Sequence, residues 1–491
     1  MSIPGYATVE GTRRYRDRML ANGTGHARHF REGLEGLVLS SIGLGTYLGE
    51  SDDATDALYL AAIQQAIAAG CNVLDSAVNY RCQRSERVIG HALAEMVREG
   101  ACRRDELLIA TKGGYLPYDG APPRDKHAYI HQNFVAPGLI HLTDLVFDCH
   151  CLSPTYLRHQ VDTSLANLGL SCLDVYYLHN PETQLHQVSR DEFMARMRAA
   201  FEVLEEAVSQ GKLRVYGTAT WEGYRGESDS RGHLSLEALV RAAKDVAGEG
   251  HHFKVVQLPY NLVMPEALVA ETQELDGKPV TFLEAARAFD LYVMASASIM
   301  EGRLRHRLPR ERREALGDGT DAQRSIQFVR STPGIGTALV GMKQASHVRD
   351  NLALAGIAPL PPEQIIGLVM KRGESRRVLI YDGECRLCVA AKGGLERLGQ
   401  DQDIRFVPYQ SEEAASHLGK DYQPGRPGVA YLVDQDGTIS RGLDAFLPLL
   451  PGLPGGRILS ALMRFPPLRP LSYLAYRIIA RYRYKWFGQV G

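Results

Sequence analysis

Residues 72–80 read NVLDSAVNY: a short apolar run ends on Asp75, and five positions later Tyr80 falls in what reads as a loop. An apolar run so short, bounded by polar residues, is the mark of a strand buried on both faces, as in parallel sheets. Similar runs recur from about residue 36 to 345: LVLSSIGLG, LLIATK, LDVYYLH, RVYGTA, KVVQLP, LYVMASA and TALVGM. Amphipathic helical stretches separate them. Among these are ATDALYLAAIQQAIAAG, closed by Gly70, and SPTYLRHQVDTSLANLGL, where Ser153 suits an N-cap and Pro154 the first helical position. Eight such strand–helix units predict a (β/α)8 TIM barrel rather than an open sheet.

The chain has 491 residues, 45% of them hydrophobic, more than a single core usually organises. After PLPPEQIIGLVMKRGESRR the pattern restarts with strand RVLIYD, a cysteine pair, a helix, strand IRFVPY, a helix, strand VAYLVD and closing elements. The expected organisation is an N-terminal extension over 1–35, a barrel over 36–370, a linker over 371–375 and a smaller α/β domain over 376–491. A formal net charge of -1 gives no reason to expect a nucleic-acid partner. The first thirty or so residues carry Arg13, Arg14, Arg16 and Arg18 but no apolar leader core, and no apolar run is long enough to span a bilayer. A cytoplasmic location without membrane contact is therefore expected. Eight cysteines are too sparse for a disulfide framework, and Cys385 and Cys388 alone have redox spacing.

One connection is unusually long. Residues 113–152 follow the third strand and contain Tyr115, Tyr118, His127, Tyr129 and Phe134, too aromatic for a plain linker. The segment reads as a lid over the barrel mouth, with an ordered surface insertion as the alternative. Its FDCHC stretch (Cys149, His150, Cys151) has ligand-like residues but no further ligand nearby in sequence, so it reads as a loop feature and no metal site is expected.

Parallel barrels carry their chemistry at the C-terminal ends of the strands. Four polar residues stand there: Asp75, Tyr80 just beyond it, Lys112 closing LLIATK, and His179 closing LDVYYLH. Singly, each has a structural explanation as a cap, a packed phenol or a core histidine. Together they make a proton-delivering device. A phenol with a reference pKa of about 10 is a poor acid at neutral pH, and a nearby ammonium favours its ionised form. An aspartate keeps that lysine charged and fixed, and an imidazole orients a carbonyl by hydrogen bonding. Such a set suits carbonyl reduction.

GCNVLDSAVNY, LLIATKGG and LDVYYLHN resemble the aldo-keto reductases over about residues 36–358. The resemblance implies a (β/α)8 barrel using NADP(H) and a catalytic tetrad of Asp75, Tyr80, Lys112 and His179. In that tetrad Tyr80 protonates a small-molecule carbonyl substrate, Asp75 and Lys112 tune it, and His179 positions the substrate. It further implies that Lys343 and Arg349, in LVGMKQASHVRDN, meet the adenosine 2′-phosphate, with Asn351 near the adenine; the alternative is a solvated basic helix start. Gln257 matches the glutamine that binds the nicotinamide carboxamide. Two positions depart from the family pattern. Ala219 and Thr220 in YGTATW stand where Ser-Asn is usual, and only Thr220 offers the carboxamide a side-chain hydrogen bond. Ser296, in MASAS, stands where a tyrosine often stacks on the nicotinamide.

In the second domain YDGECRLC, residues 381–388, follows a strand and precedes a helical pattern. A C-x-x-C pair there sets Cys385 near a helix N-terminus, where the dipole favours a thiolate, with Cys388 able to resolve a mixed disulfide. Half of a zinc site and an inert buried pair are the alternatives. Residues 376–490 resemble the DCC family of thiol-disulfide oxidoreductases, named for the residues that here are Asp382, Cys385 and Cys388. The resemblance, strengthened by IRFVPYQS and YRIIARYRYKWFG, implies a thioredoxin-like fold and a thiol or disulfide partner. Pro427 reads either as the cis-proline of such folds or as a strand-starting proline. In the last helix, Arg477, Arg481 and Lys485 run beside Leu474, Ile478 and Tyr482, which suits either an anionic surface or a domain-capping helix. The expected whole is an NADPH-dependent carbonyl reductase joined to a dithiol domain. A barrel that binds NADPH as a sensor with little turnover is the alternative.

Overall fold

The computed structural model describes residues 2–305, 308–374, 377–397, 404–434, 437–450, 460–463, 465 and 468–489. They form two compact units, 1–368 and 369–491. Residues 375 and 376, where the linker was expected to give way to the second domain, lie outside the described residues.

In the first unit eight strands pair in parallel in chain order: β1 (Ile42–Gly45), β2 (Val73–Asp75), β3 (Leu108–Gly113), β4 (Leu173–His179), β5 (Leu213–Ala219), β6 (Phe253–Pro259), β7 (Tyr292–Ser296) and β8 (Thr337–Gly341). β8 returns to β1 and closes the barrel. The near-continuous apolar strands are explained by this closure, since their inner side chains fill the barrel and their outer ones meet the helical ring. Val73, Leu108, Ala110, Val175, Tyr177, Val215, Val255, Met294 and Leu339 make one buried cluster. At Gly217, beside a register irregularity with β6, a Cβ would lie 1.6 Å from the Val255 carbonyl oxygen, so no other residue fits.

The run LVLSSIGLG, expected as one strand, divides at Ser41. Val38–Ser40 turns antiparallel to Phe30–Glu32 and Ile42–Gly45 enters the barrel. Leu34, Leu37 and Leu39, with Ala7, join the core at the N-terminal end of the strands. Ahead of them the helix Val9–Ala21, capped by Thr8, is tied down by Arg14 and Arg18, which contact the buried Glu106 at 3.2 and 2.7 Å.

The insertion after β3 is ordered by its own packing, and its Tyr115 borders the mouth of the barrel, 5.1 Å from the His179 ring. Leu116, Ile130, Phe134, Ile140 and Cys151 pack with Tyr156 into a separate small core, which gives the segment its own reason to be ordered.

The second unit carries β9 (Arg377–Tyr381), β10 (Ile404–Pro408), β11 (Tyr431–Val433) and β12 (Ile439–Arg441) in the order β10-β9-β11-β12. β9 and β10 are parallel and the other pairings antiparallel, the thioredoxin-like arrangement that was expected. Period-two alternation splits β9 between two layers. Val378 and Ile380 pack with Val407 and Tyr409, while Leu379 packs with Ile404 and Leu432. The helices Arg386–Arg397 and Arg469–Phe487 matter most below. No helix among the described residues is long and apolar enough to cross a membrane.

Candidate active sites

At the C-terminal ends of the barrel strands lies a cavity of about 470 Å³, lined by Tyr47, Asp75, Tyr80, His179, Thr220, Gln257 and Ser296 among others. Lys112 sits behind this lining, 1% exposed in its side chain, with its Nζ 2.6 Å from Asp75 Oδ2 and 2.7 Å from the Ser76 carbonyl. The other oxygen of Asp75 accepts from Gln257 Nε2 at 2.8 Å. The Lys112 ammonium is 4.9 Å from the centre of the Tyr80 ring, and the His179 ring is 5.7 Å from it. The four expected catalytic residues therefore meet at one point.

Tyr80 is held there by its loop. A turn bond joins its N–H to the Ala77 carbonyl, and the next three residues, Arg81, Cys82 and Gln83, all take left-handed backbone conformations (φ 48°, 56° and 70°). Such a run is unfavourable for side chains with a Cβ and persists only where surrounding contacts impose it. Arg81 supplies them: it is buried and bonds Asp56 and the Glu50 and Asp52 carbonyls.

Burial dominates the electrostatics. It pushes the Tyr80 phenol well above its ordinary range, reinforced by Asp75, Tyr47 and Tyr115. The phenol therefore keeps its proton at neutral pH, burial outweighing the pull of the Lys112 ammonium 4.9 Å from the ring centre. Burial also lowers the Lys112 ammonium, against the pull of Asp75. His179 is driven well below its usual value by burial, then by Lys112 and His150, so its imidazole is neutral.

Three polar atoms on lining residues have no hydrogen-bond partner among the described residues: Thr220 Oγ1, His179 Nδ1 and Asn79 Oδ1. Buried polar groups are nearly always satisfied, so these mark where a polar ligand fits. Ala219 lines the cavity without offering a side-chain hydrogen bond. Lys343, Arg349 and Asn351 are not among the lining residues. Lys343 follows β8, where a methyl group on Gly49 would sit 3.5 Å from its Nζ. Arg349 is exposed and Asn351 buried on the helix Ala345–Leu352.

Sequence reasoning passed over Tyr47, which lies at the end of the first barrel strand and was open to the strand-end rule. His150 carries no such signal. It is buried, with its Nε2 2.7 Å from the His179 carbonyl and its Nδ1 2.7 Å from Gln184 Nε2, and burial lowers it to about 4. The amide that faces Nδ1 leaves Nε2 to carry the proton donated to His179. The FDCHC stretch thus buttresses the loop after β4.

In the second domain Cys385 is fully buried at the start of the helix Arg386–Arg397, and its backbone forms an isolated antiparallel bridge with Gln489. Cys388, half-buried, faces a separate cavity, and burial followed by the neighbouring Cys385 pushes its thiol to about 12. Accessibility is thus the reverse of the expected attack by Cys385 and resolution by Cys388. Burial raises Asp382, but bonds from Tyr484 (2.6 Å), Arg483 (2.8 Å) and Gln410 (3.0 Å) outweigh it and hold the carboxyl below its usual range. The motif YRIIARYRYKWFG thereby caps the domain through Arg483 and Tyr484, while Leu474, Ile478, Tyr482 and Trp486 stay exposed on its outer side. Pro427 is trans, as no cis peptide occurs among the described residues, and its carbonyl accepts from Arg483.

The model of the aldo/keto reductase family matches residues 41–314, and that of the DCC1-like thiol-disulfide oxidoreductases matches residues 379–489. A 6-dehydroglucose reductase of Novosphingobium aromaticivorans is 29% identical over 196 residues, covering 39% of this chain and 51% of that protein. The chain thus spans about half the length of this curated reductase. An uncharacterised Bacillus subtilis protein, YuxK, is 33% identical over 113 residues, which is 23% of this chain and 82% of YuxK. Among solved structures, an aldo/keto reductase from Klebsiella pneumoniae in complex with NADP and acetate is 20% identical, with a TM-score of 0.47, covering 70% of this chain and 95% of that one.

Proposed function

The chain belongs to the aldo/keto reductase family, and on that premise we propose that its barrel reduces the carbonyl group of a small aldehyde or ketone, with NADPH as the reductant. The observation that carries this reading is the Lys112–Asp75 pair buried beneath Tyr80 at the wall of the barrel cavity, with a neutral His179 beside it. When bound, the reduced nicotinamide supplies the hydride. Thr220 Oγ1 and the Gln257 amide would receive its carboxamide, Ser296 would border the ring, and Lys343, Arg349 and Asn351 would hold the adenosine end.

The remaining work falls to the side chains. His179 donates a hydrogen bond to the substrate oxygen and fixes the carbonyl against Tyr80. Tyr80 retains its proton until that oxygen becomes an alkoxide, a stronger base than phenolate, and then yields it. Lys112, held in the charged form by Asp75, stabilises the phenolate left behind. In the second domain, Cys385 and Cys388 would exchange with a small-molecule or protein thiol or disulfide. The eight unpaired thiols fit a reducing, cytoplasmic setting.

Steady-state oxidation of NADPH and of NADH across an aldehyde and ketone panel tests the barrel. Turnover with NADPH supports the proposal; cofactor binding without turnover on any carbonyl favours the sensor reading. A Cys385→Ser protein that loses thiol–disulfide exchange yet keeps carbonyl reduction shows the two chemistries to be independent.

A further inference from the structure

The helix Arg469–Phe487 has two unlike sides. One fastens it to the second domain: Arg483 and Tyr484 bond the Asp382 carboxylate at 2.8 and 2.6 Å, and the Tyr476 hydroxyl accepts from the Ala430 N–H at 3.2 Å. The other meets solvent. At about 3.6 residues per turn, Leu471, Leu474, Ile478, Ile479, Tyr482 and Trp486 fall within an arc of about 140°, and each is 41–62% exposed. Arg477, Arg481 and Lys485, all exposed, run along one flank of that arc. We propose that this outer face docks the protein on the surface of a bilayer rich in anionic phospholipid.

Three observations converge on that partner. The apolar stripe is wide and continuous, since Leu462 and Leu468 share a shallow depression with Leu471 and Ile479. An exposed apolar patch of this kind, rimmed by polar residues, marks an interaction surface. The Tyr482 and Trp486 rings stack within it, 5.5 Å apart, and these are the two side chains that favour the boundary between headgroups and hydrocarbon. Charge supplies the third observation. Residues 445–491 contain seven Arg or Lys and no Asp or Glu, in a chain whose formal net charge is -1. Cations concentrated beside an apolar stripe complement anionic headgroups over hydrocarbon, whatever the helix's direction in the membrane plane. A protein partner would have to present an acidic strip and an apolar strip at the same spacing. The contact is with the bilayer surface, because no helix among the described residues is long and apolar enough to cross a membrane. The inference is independent of carbonyl reduction and of dithiol exchange.

The test is co-sedimentation of the full chain with vesicles of phosphatidylglycerol and phosphatidylcholine in equal parts, or of phosphatidylcholine alone. Binding to the anionic vesicles should be at least tenfold tighter. Raising the salt from about 0.1 to about 1 M shortens the screening length from about 10 to about 3 Å and should remove most of that difference. One Lys or Arg near an anionic surface strengthens adsorption about fivefold, so Arg477→Gln, Arg481→Gln and Lys485→Gln together should weaken binding by about 10². Ile478→Glu, at an exposed position, should weaken it at least tenfold. In a Trp221→Phe background the Trp486 emission should shift to shorter wavelength on the anionic vesicles. Equal binding to both vesicle types overturns the anionic partner. Binding unchanged by Ile478→Glu and by the triple substitution, or an unshifted Trp486, overturns the face. No binding to either vesicle overturns the proposal, and a dimer that Ile478→Glu then dissociates assigns the face to a second copy of the chain. The lipid and salt series on the unmutated chain, with the Trp486 emission, decides the matter even if a substituted protein does not fold.

Discussion

Changing Asp75 to Asn strips a buried ammonium of its charge partner and leaves the shape of the site in place. Lys112 and Asp75 are 1% and 6% exposed in their side chains and 2.6 Å apart, a geometry in which loss of one partner costs about 3–5 kcal/mol. Lys112 has one way to limit that loss, which is to shed its proton. For a lysine whose unfolded pKa is about 10.4, shedding it costs about 5 kcal/mol at pH 7 and about 2 kcal/mol at pH 9. In the variant the unfolded chain then binds one more proton than the folded chain, so the unfolding free energy rises with pH at about 1.4 kcal/mol per unit. The deficit relative to the unmutated protein should accordingly shrink from pH 7 to pH 9. Urea unfolding reads it, with Trp221 fluorescence in a Trp486→Phe background reporting the barrel, since these are the chain's two tryptophans. A deficit under about 1 kcal/mol, or one unchanged between pH 7 and 9, refutes the reasoning that this pair is buried and mutually dependent.

Two buried histidines make a second pH prediction. Burial lowers His150 to about 4 and His29 to about 3, so both are neutral in the fold. Unfolded histidines take up protons near pH 6.5. Below that pH each should cost about 1.4 kcal/mol of stability per unit until its folded pKa is reached. His150→Gln should flatten the barrel's unfolding slope between pH 4.5 and 6.5 by one such increment, and an unaltered slope contradicts the assignment. Thr220→Val should leave unliganded stability unchanged or slightly higher, because it removes an unpaired buried hydroxyl. The same change should weaken nicotinamide binding by roughly five- to tenfold, about 1 kcal/mol, in a fluorescence titration. Gly217→Ala should prevent the barrel from folding, read by the loss of its cooperative transition, since its Cβ would overlap the Val255 carbonyl at 1.6 Å.

The barrel and its four central residues are legible in the chain because closure buries both strand faces and chemistry gathers where strands end. Asp75, Lys112 and His179 are each the last or next-to-last residue of a strand, and Tyr80 follows by a short turn. What escapes a linear reading is set by packing between distant segments. Burial of Tyr80 outweighs the nearby ammonium, and only the folded environment determines that balance. His150 supports His179 across 29 residues of sequence, from within the insertion whose aromatic content reads as a lid. Cys385 is fully buried and bridged by backbone to Gln489, 104 positions later, so spacing alone gives the cysteine pair without its accessibility. Thr220 and Ser296 line the cavity, whereas Lys343 and Arg349 lie outside its lining.

The central claim is that Tyr80 gives its proton to the substrate oxygen while Lys112 and Asp75 support it from behind. Single-turnover reduction of a carbonyl by the Tyr80→Phe protein, preloaded with NADPH, addresses it most directly, because the phenyl ring preserves the contacts with Tyr47 and His179 and removes only the hydroxyl. The rate should fall by about 10²–10⁴ with cofactor affinity unchanged. A rate equal to that of the unmutated protein contradicts the claim.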